Sequence, residues 1–226
     1  MLVVDSDESN SGLFGMLGFD RAPVPLMELV GGRSSVKQKM STGFLIAQEE
    51  ISFEDIPPEY MLARGNIRLV AVGKILLALE GCACPMGVLS REFLKKLRLK
   101  ANEMAIVDME AGVEHFGRGV ETSIDSVLIV VEPSLESIAL AEKIKSLTRG
   151  IGISNVWAIL NKVSSRSLAL KLRGEVEKRG IDVIGIVPND AQIFEACLEG
   201  RPLGEGKAAK EVGKVLDSLL TKLAKQ

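Results

Sequence analysis

Short aliphatic runs recur along the chain, each bounded by polar residues: LVV at 2–4, IRLVAVG at 67–73, MAIVDM at 104–109, SVLIVVEP at 126–133, NVWAILNKV at 155–163 and DVIGIVP at 182–188. Runs of this length, rich in Val and Ile and flanked by turn-forming residues, predict strands that are covered on both faces. Between them the apolar positions recur at helical spacing. In SLESIALAEKIKSLTRG, Ile138, Ala141, Ile144 and Leu147 share one face, with Ser134 placed to cap the start and Gly150 to stop the helix. SSRSLALKLRGEVEKRG repeats the pattern, and GKAAKEVGKVLDSLLTKLAKQ predicts a long terminal helix. This alternation predicts an α/β fold, a mostly parallel sheet with helices on both faces and right-handed crossovers. Residues 31–66 are polar and contain a Pro-Pro pair, so they read as an irregular insertion of loops and short helices within one domain spanning 1–226.

Composition narrows the class of partner. The 226 residues suffice for one substantial core, and 46% hydrophobic with only 4% aromatic residues suits buried aliphatic strands. The 28 basic and 30 acidic residues are well mixed, giving a net charge of −2 and no basic footprint. Nucleic acid and anionic membrane are therefore not expected as partners. Three Cys, with no segment laid out as a signal peptide or membrane span, suggest a reducing cytoplasm, and the odd count argues against a disulfide framework.

In open parallel sheets ligands bind beyond the carboxyl ends of the strands. The predicted strand ends carry Asp5 and Asp7, Gly73, Asp108, Glu132, Asn161 with Lys162, and Pro188-Asn189-Asp190. Singly, each suits a turn or a helix cap; together they mark one end of the sheet as polar. VDMEAG places Gly112 four residues after Asp108, a layout that can hold a Mg²⁺-bound water and follow a γ-phosphate. Asn161 can donate to and accept from an adenine edge at once, or simply sit in a turn.

GCACP places Cys82 and Cys84 one residue apart. Two thiolates are half of a tetrahedral site, and a second copy of the pair across a two-fold axis would complete it; two small core residues are the plainer alternative. The flanking Gly and Pro favour an exposed loop for the pair. Cys197 reads as a core residue, and the single histidine, His115, as a loop or hydrogen-bonding residue.

The runs GCACPMGVLSREFL, AIVDMEAGVEHFGRGVETSIDSVLIVVEPS, NKV and GIVPND together resemble the CooC-type nickel-insertion ATPases, which mature carbon monoxide dehydrogenase and belong to the MinD/ParA class of deviant P-loop ATPases. The resemblance extends from Met1 to about Pro202. It implies ATP with Mg²⁺ as cofactor. Asp108 would be the switch II carboxylate near Mg²⁺, with Gly112 following the γ-phosphate. Asp7 would orient the attacking water and Asp5 would support Mg²⁺ through a water. Asn161, with Lys162 beside it, would read the adenine edge, and Pro188, Asn189 and Asp190 would form the other wall of the base pocket. Cys82 and Cys84 would bind Ni²⁺ or Zn²⁺ across a nucleotide-favoured homodimer that serves carbon monoxide dehydrogenase as client.

One part of the family pattern has no counterpart. These ATPases begin with a strand, a loop of the form GKGGVGKT and a helix; here VGK occurs at 72–74 and 212–214, neither time in a glycine-rich loop followed by Ser or Thr. The resemblance places the missing strand beside the one that ends at Asp108, and leads to the expectation that the gene encodes it just upstream of Met1, this chain being inactive without it. Two other readings stand beside the metallochaperone: a non-catalytic metal-binding or scaffold remnant without ATP, and a MinD/ParA-like positioning ATPase. Against the latter, the terminal helix is not markedly basic on one face and lacks aromatic anchors.

Overall fold

The computed structural model describes residues 1–39, 43–75, 84–110, 112, 113, 116 and 123–224. The chain divides into two compact units, Met1–Ala111 and Gly112–Gln226.

In the first unit the strands are β1 (Leu2–Asp5), β2 (Leu62–Arg64), β3 (Ile67–Ala71) and β4 (Ala105–Asp108), in the order β2-β3-β1-β4. β1 is parallel to both β3 and β4, with Asp5 the register partner of Ala71 on one side and Asp108 on the other. All four residues of β1 are buried, which its unbroken apolar run requires of a central strand. The helices are α1 (Leu13–Met16), α2 (Leu26–Leu29), α3 (Gly32–Lys39) and α4 (Cys84–Lys96). α4 buries Met86, Leu89, Phe93 and Leu94 along one stripe. Phe93, Leu89, Leu2, Val4, Leu69 and Val70 are each 2% exposed or less, and burying side chains of this size contributes about 1.5–3 kcal/mol apiece.

The described part of 31–66 holds α3, a 3₁₀ turn at Phe53–Asp55 and β2, an element the apolar pattern did not announce. It pairs antiparallel with β3 through a turn at Gly65, whose φ of +56° suits glycine. A second tether holds the insertion down. The Glu92 carboxylate on α4 accepts from the Leu45 and Ile46 amides, and the Lys96 ammonium donates to the Ile46 carbonyl and to Glu92.

The second unit contains β5 (Val127–Val131), β6 (Val156–Val163) and β7 (Asp182–Pro188), all parallel, in that order. Its helices are α5 (Leu135–Gly150), α6 (Arg166–Lys178), α7 (Ala191–Glu199) and α8 (Lys207–Leu223). Ser134 and Ser165 cap α5 and α6, each hydroxyl accepting from the amide three residues on. One sheet face, with Ile129, Val131, Ala158, Leu160 and Val183, packs against Ile138, Ala141 and Ile144 of α5 and Ala169, Leu172 and Val176 of α6. α8 lies over β7, so close that a Cβ at Gly185 would meet Val215 at 2.1 Å. Glycine at 185 is what allows the terminal helix to reach the strand.

Among the described residues β4 pairs only with β1, and β5 only with β6. Both carry exposed aliphatic side chains, Ile106 at 45% and Val130 at 56%. No helix among the described residues is long and apolar enough to cross a membrane.

Candidate functional site

Parallel pairing of β1 and β4 sets Asp5 beside Asp108, and the chain continues from β1 into a tight turn held by Asp7. The Ser6 amide donates to the Asp108 carbonyl at 2.9 Å, extending the ladder one residue past the carboxylate. Asp7 Oδ1 accepts from the Ser9 hydroxyl at 2.7 Å, the Ser9 amide at 2.8 Å and the Asn10 amide at 3.1 Å. Three carboxylates expected from the sequence thus gather at one end of the first unit's sheet.

The cation at this end of the sheet is Lys74, which pairs with one of the three carboxylates. Its ammonium donates to Asp5 Oδ1 at 2.7 Å and also to the carbonyls of Asp7 and Asn10. Side-chain exposures of 13% for Lys74 and 8% for Asp5 make this a sheltered ion pair, unlike the chain's many surface pairs. The charge balance is nevertheless uneven. Burial raises the Asp5 carboxyl above its ordinary value even against the Lys74 hydrogen bond and charge. Asp108 is raised as well, by burial first and then by repulsion from Asp5 and Asp7. Burial also pushes Asp7 upward, but the bonds from Ser9 and Asn10 together with the Lys74 charge prevail and hold it below the ordinary value.

Oxygen donors with an excess of negative charge suit a hard divalent cation, because the charge that raises Asp108 is what such an ion would relieve. The residues present therefore fit Mg²⁺. Among the described residues no group of three or more His, Cys, Asp or Glu side chains is arranged to hold a metal by itself.

Cys84 does not lie in an exposed loop as its Gly and Pro neighbours suggested: it opens α4 and is half-buried, with Pro85 buried in the first turn. Proline there is favourable, since the first helical amides have no partner to lose. Cys82, much of the KILLALE helical stretch before it and His115 lie outside the described residues. Cys197 is exposed, not a core residue. On α7 the buried position is Ala196, and Cys197 turns out with Phe194 and Leu198, which are 70% and 77% exposed.

In the second unit, pairing of β6 with β7 brings the other sequence-predicted residues together. Val163 is the register partner of Pro188, and the Asn189 amide donates to the Val163 carbonyl at 3.0 Å. Asn161 and Lys162 fall where the register slips between Leu160 and Val163. Lys162 has a φ of +55°, unusual for a residue with a side chain, and its ammonium pairs with Glu132 at 2.7 Å. A bulge with left-handed backbone re-aims side chains at a strand end. Asp190 is committed to structure: one carboxylate oxygen accepts from the Gln192 amide and the other from the Ala208 amide, both at 3.1 Å, capping α7 and tying in α8. A concavity of about 310 Å³ opens beside it, lined by Asp190, Gln192, Arg201 and Gly206 among others. Gly112 begins this unit, and the place a side chain would take there is open.

Lys74 is the charged residue of this cluster that the strand-end pattern does not single out. In the sequence it stands in VGK at 72–74, outside any glycine-rich loop. The signal that could have found it is the basic residue placed just past a strand adjacent to one ending in Asp.

No protein-family profile matches the chain. It is 40% identical over 222 residues to the uncharacterized ATP-binding protein MJ0084 of Methanocaldococcus jannaschii, covering 96% of this chain and 87% of that protein. It is 31% identical over 182 residues to the carbon monoxide dehydrogenase accessory protein CooC of Rhodospirillum rubrum, covering 79% of this chain and 67% of CooC. Among solved structures, MinD in the MinC:MinD complex of Aquifex aeolicus superposes with a TM-score of 0.66 at 18% identity, over 97% of this chain and 82% of that one. The MinD of Pyrococcus horikoshii complexed with Mg-ADP gives 0.65 at 17%, over 96% and 82%. These structures share the fold, and the sequence relatives place the chain within it: it belongs to the CooC-type family of MinD/ParA-related deviant P-loop ATPases.

Proposed function

We propose that this protein is an ATP-dependent metallochaperone that delivers nickel to a carbon monoxide dehydrogenase. The observation that carries the reading is the meeting of Asp5, Asp7 and Asp108 at adjoining strand ends with Lys74 as their counterion. In this reading Asp108 and Asp5 hold Mg²⁺, which supplies charge neutralisation at the phosphates. Asp7, kept ionised by its Ser9 and Asn10 bonds, orients the attacking water. Asn161 and Lys162 contact the base from one strand end and Pro188, Asn189 and Asp190 wall it from the next, with the Asp190 caps fixing that wall. Gly112 follows the γ-phosphate.

Cys82 and Cys84 bind Ni²⁺ or Zn²⁺ as cargo, two thiolates from each protomer of a homodimer completing four sulfurs. ATP binding and metal binding then favour the same dimer and reinforce each other by linkage, and hydrolysis weakens both.

The test is nickel and zinc titration of the purified protein with and without Mg-ATP, followed by analytical ultracentrifugation. A metal-dependent dimer strengthened by ATP and abolished by Cys82→Ser with Cys84→Ser supports the reading. Metal binding unchanged in the double variant overturns the assigned cysteine site, and absence of nucleotide binding overturns the ATP-dependent part.

A further inference from the structure

Two contacts inside the first unit join the carboxylate cluster to the helix that Cys84 opens. The first is a pair of hydroxyls: Ser6, between Asp5 and Asp7, lies 3.0 Å from Ser90 on α4, at 7% and 1% exposure. Around them the core is apolar, with Leu89 and Phe93 flanking Ser90 along the helix. A hydroxyl pair in such a place adds little stability over two apolar groups, but breaking it from one side leaves the other unsatisfied. Its distinctive effect is to fix one relative position of strand and helix. The second contact lies at the first turn of α4. Met86 seats so tightly on Gly73 that a Cβ there would come within 2.9 Å of its sulfur. Gly73 directly precedes Lys74, whose ammonium gathers Asp5 and the carbonyls of Asp7 and Asn10.

We propose that Lys74 and Ser90 are positioning residues that make α4 a lever: displacement of the Asp5–Asn10 turn is transmitted through Ser6–Ser90 and Gly73–Met86 to the first turn of α4, and so to Cys84. A 13-residue helix moves as a rigid body, and a packed core passes on a small shift because it has no slack in which to absorb it. The lever deepens the metallochaperone reading by supplying the connection between carboxylates and thiol. It rests on that reading for its purpose, but its test requires neither nucleotide nor metal.

The readout is the rate at which iodoacetamide alkylates Cys84 in the full chain carrying Cys82→Ser and Cys197→Ser. Asp5→Asn, which removes the Lys74 partner, should change this rate by about threefold or more, the scale of coupling within one hydrogen-bond network. Adding Ser90→Ala should cut that response to less than half, and Ser90→Thr, which keeps a hydroxyl, should restore it. Where Asp5→Asn fails to fold by circular dichroism, Asp7→Asn in the half-buried turn gives the same reading. A Cys84 rate indifferent to the turn variants, or a response of equal size with Ser90→Ala, overturns the lever. Failure of ATP binding would remove the proposed function and leave this result standing.

Discussion

Asp5 and Asp108 are register partners on adjacent parallel strands, so two carboxylates are set side by side with one ammonium, that of Lys74, bound to only one of them. Both carboxyls are raised, each by burial first, and at Asp108 repulsion from Asp5 and Asp7 adds to it, so the arrangement is electrostatically costly to the fold.

Asp108→Asn should therefore stabilise the protein at neutral pH. A rise in Tm at pH 7 is expected, because Asn removes the desolvation cost of a buried charge and its repulsion from Asp5 and Asp7. Because the folded carboxyl is raised above its ordinary value of 3.8, the native protein regains stability as pH falls through the raised value, and the advantage of Asn disappears by 3.8. Thermal melts across pH check both parts; a variant less stable than the parent at pH 7 contradicts the assignment.

Asp7 should behave oppositely. Its lowered carboxyl contributes stability that is complete above 3.8 and lost as pH falls through the folded value. Asp7→Asn is expected to lower Tm at neutral pH, with the difference from the parent closing in acid. The same series of melts measures it.

Asp190 caps two helices with one carboxylate, so Asp190→Ala should cost more than an ordinary cap, about 1–3 kcal/mol in urea unfolding, one to two for a cap and the remainder for the exposed α8 amide. Asp190→Asn should recover part of it. A loss below about 0.5 kcal/mol would show the caps to be idle.

Gly185→Ala places a methyl where Val215 already sits, 2.1 Å from the ideal position. Displacing α8 should cost about 1–3 kcal/mol, and pairing the change with Val215→Ala should recover most of it. Urea unfolding of the single and double variants checks this.

Asn161→Ala should raise the Kd for ATP about tenfold, equivalent to about 1.4 kcal/mol, while leaving urea stability within about 0.5 kcal/mol. Fluorescent-nucleotide titration reads the first and unfolding the second. A matching loss of stability would mean that Asn161 serves the bulge rather than the base.

Much of this was legible from side-chain pattern alone, for identifiable reasons. Each aliphatic run became a strand because its β-branched residues suit pleated backbone, even in β4 and β5, where Ile106 and Val130 stay exposed. Ser134 announced its helix by the one interaction a hydroxyl makes best with free amides, and Ser165 makes the same cap without being singled out. The short strand β2 was hidden because three residues, two of them exposed, carry no period to detect. Cys197 was misjudged because one step along a helix turns a side chain by about 100°, enough to separate it from buried Ala196. Lys74 was missed because a lysine's role in a charge cluster depends on which strands are neighbours, and adjacency is a property of the sheet rather than of the sequence.

The free edges of β4 and β5 have a practical consequence for anyone handling this polypeptide. Ile106 and Val130 stand on parallel strands whose backbone groups are unpaired on one side among the described residues, and such edges recruit strands from other molecules. Expressed as these residues alone, the protein should be prone to aggregation at high concentration. A soluble peptide that pairs with the edge should suppress it.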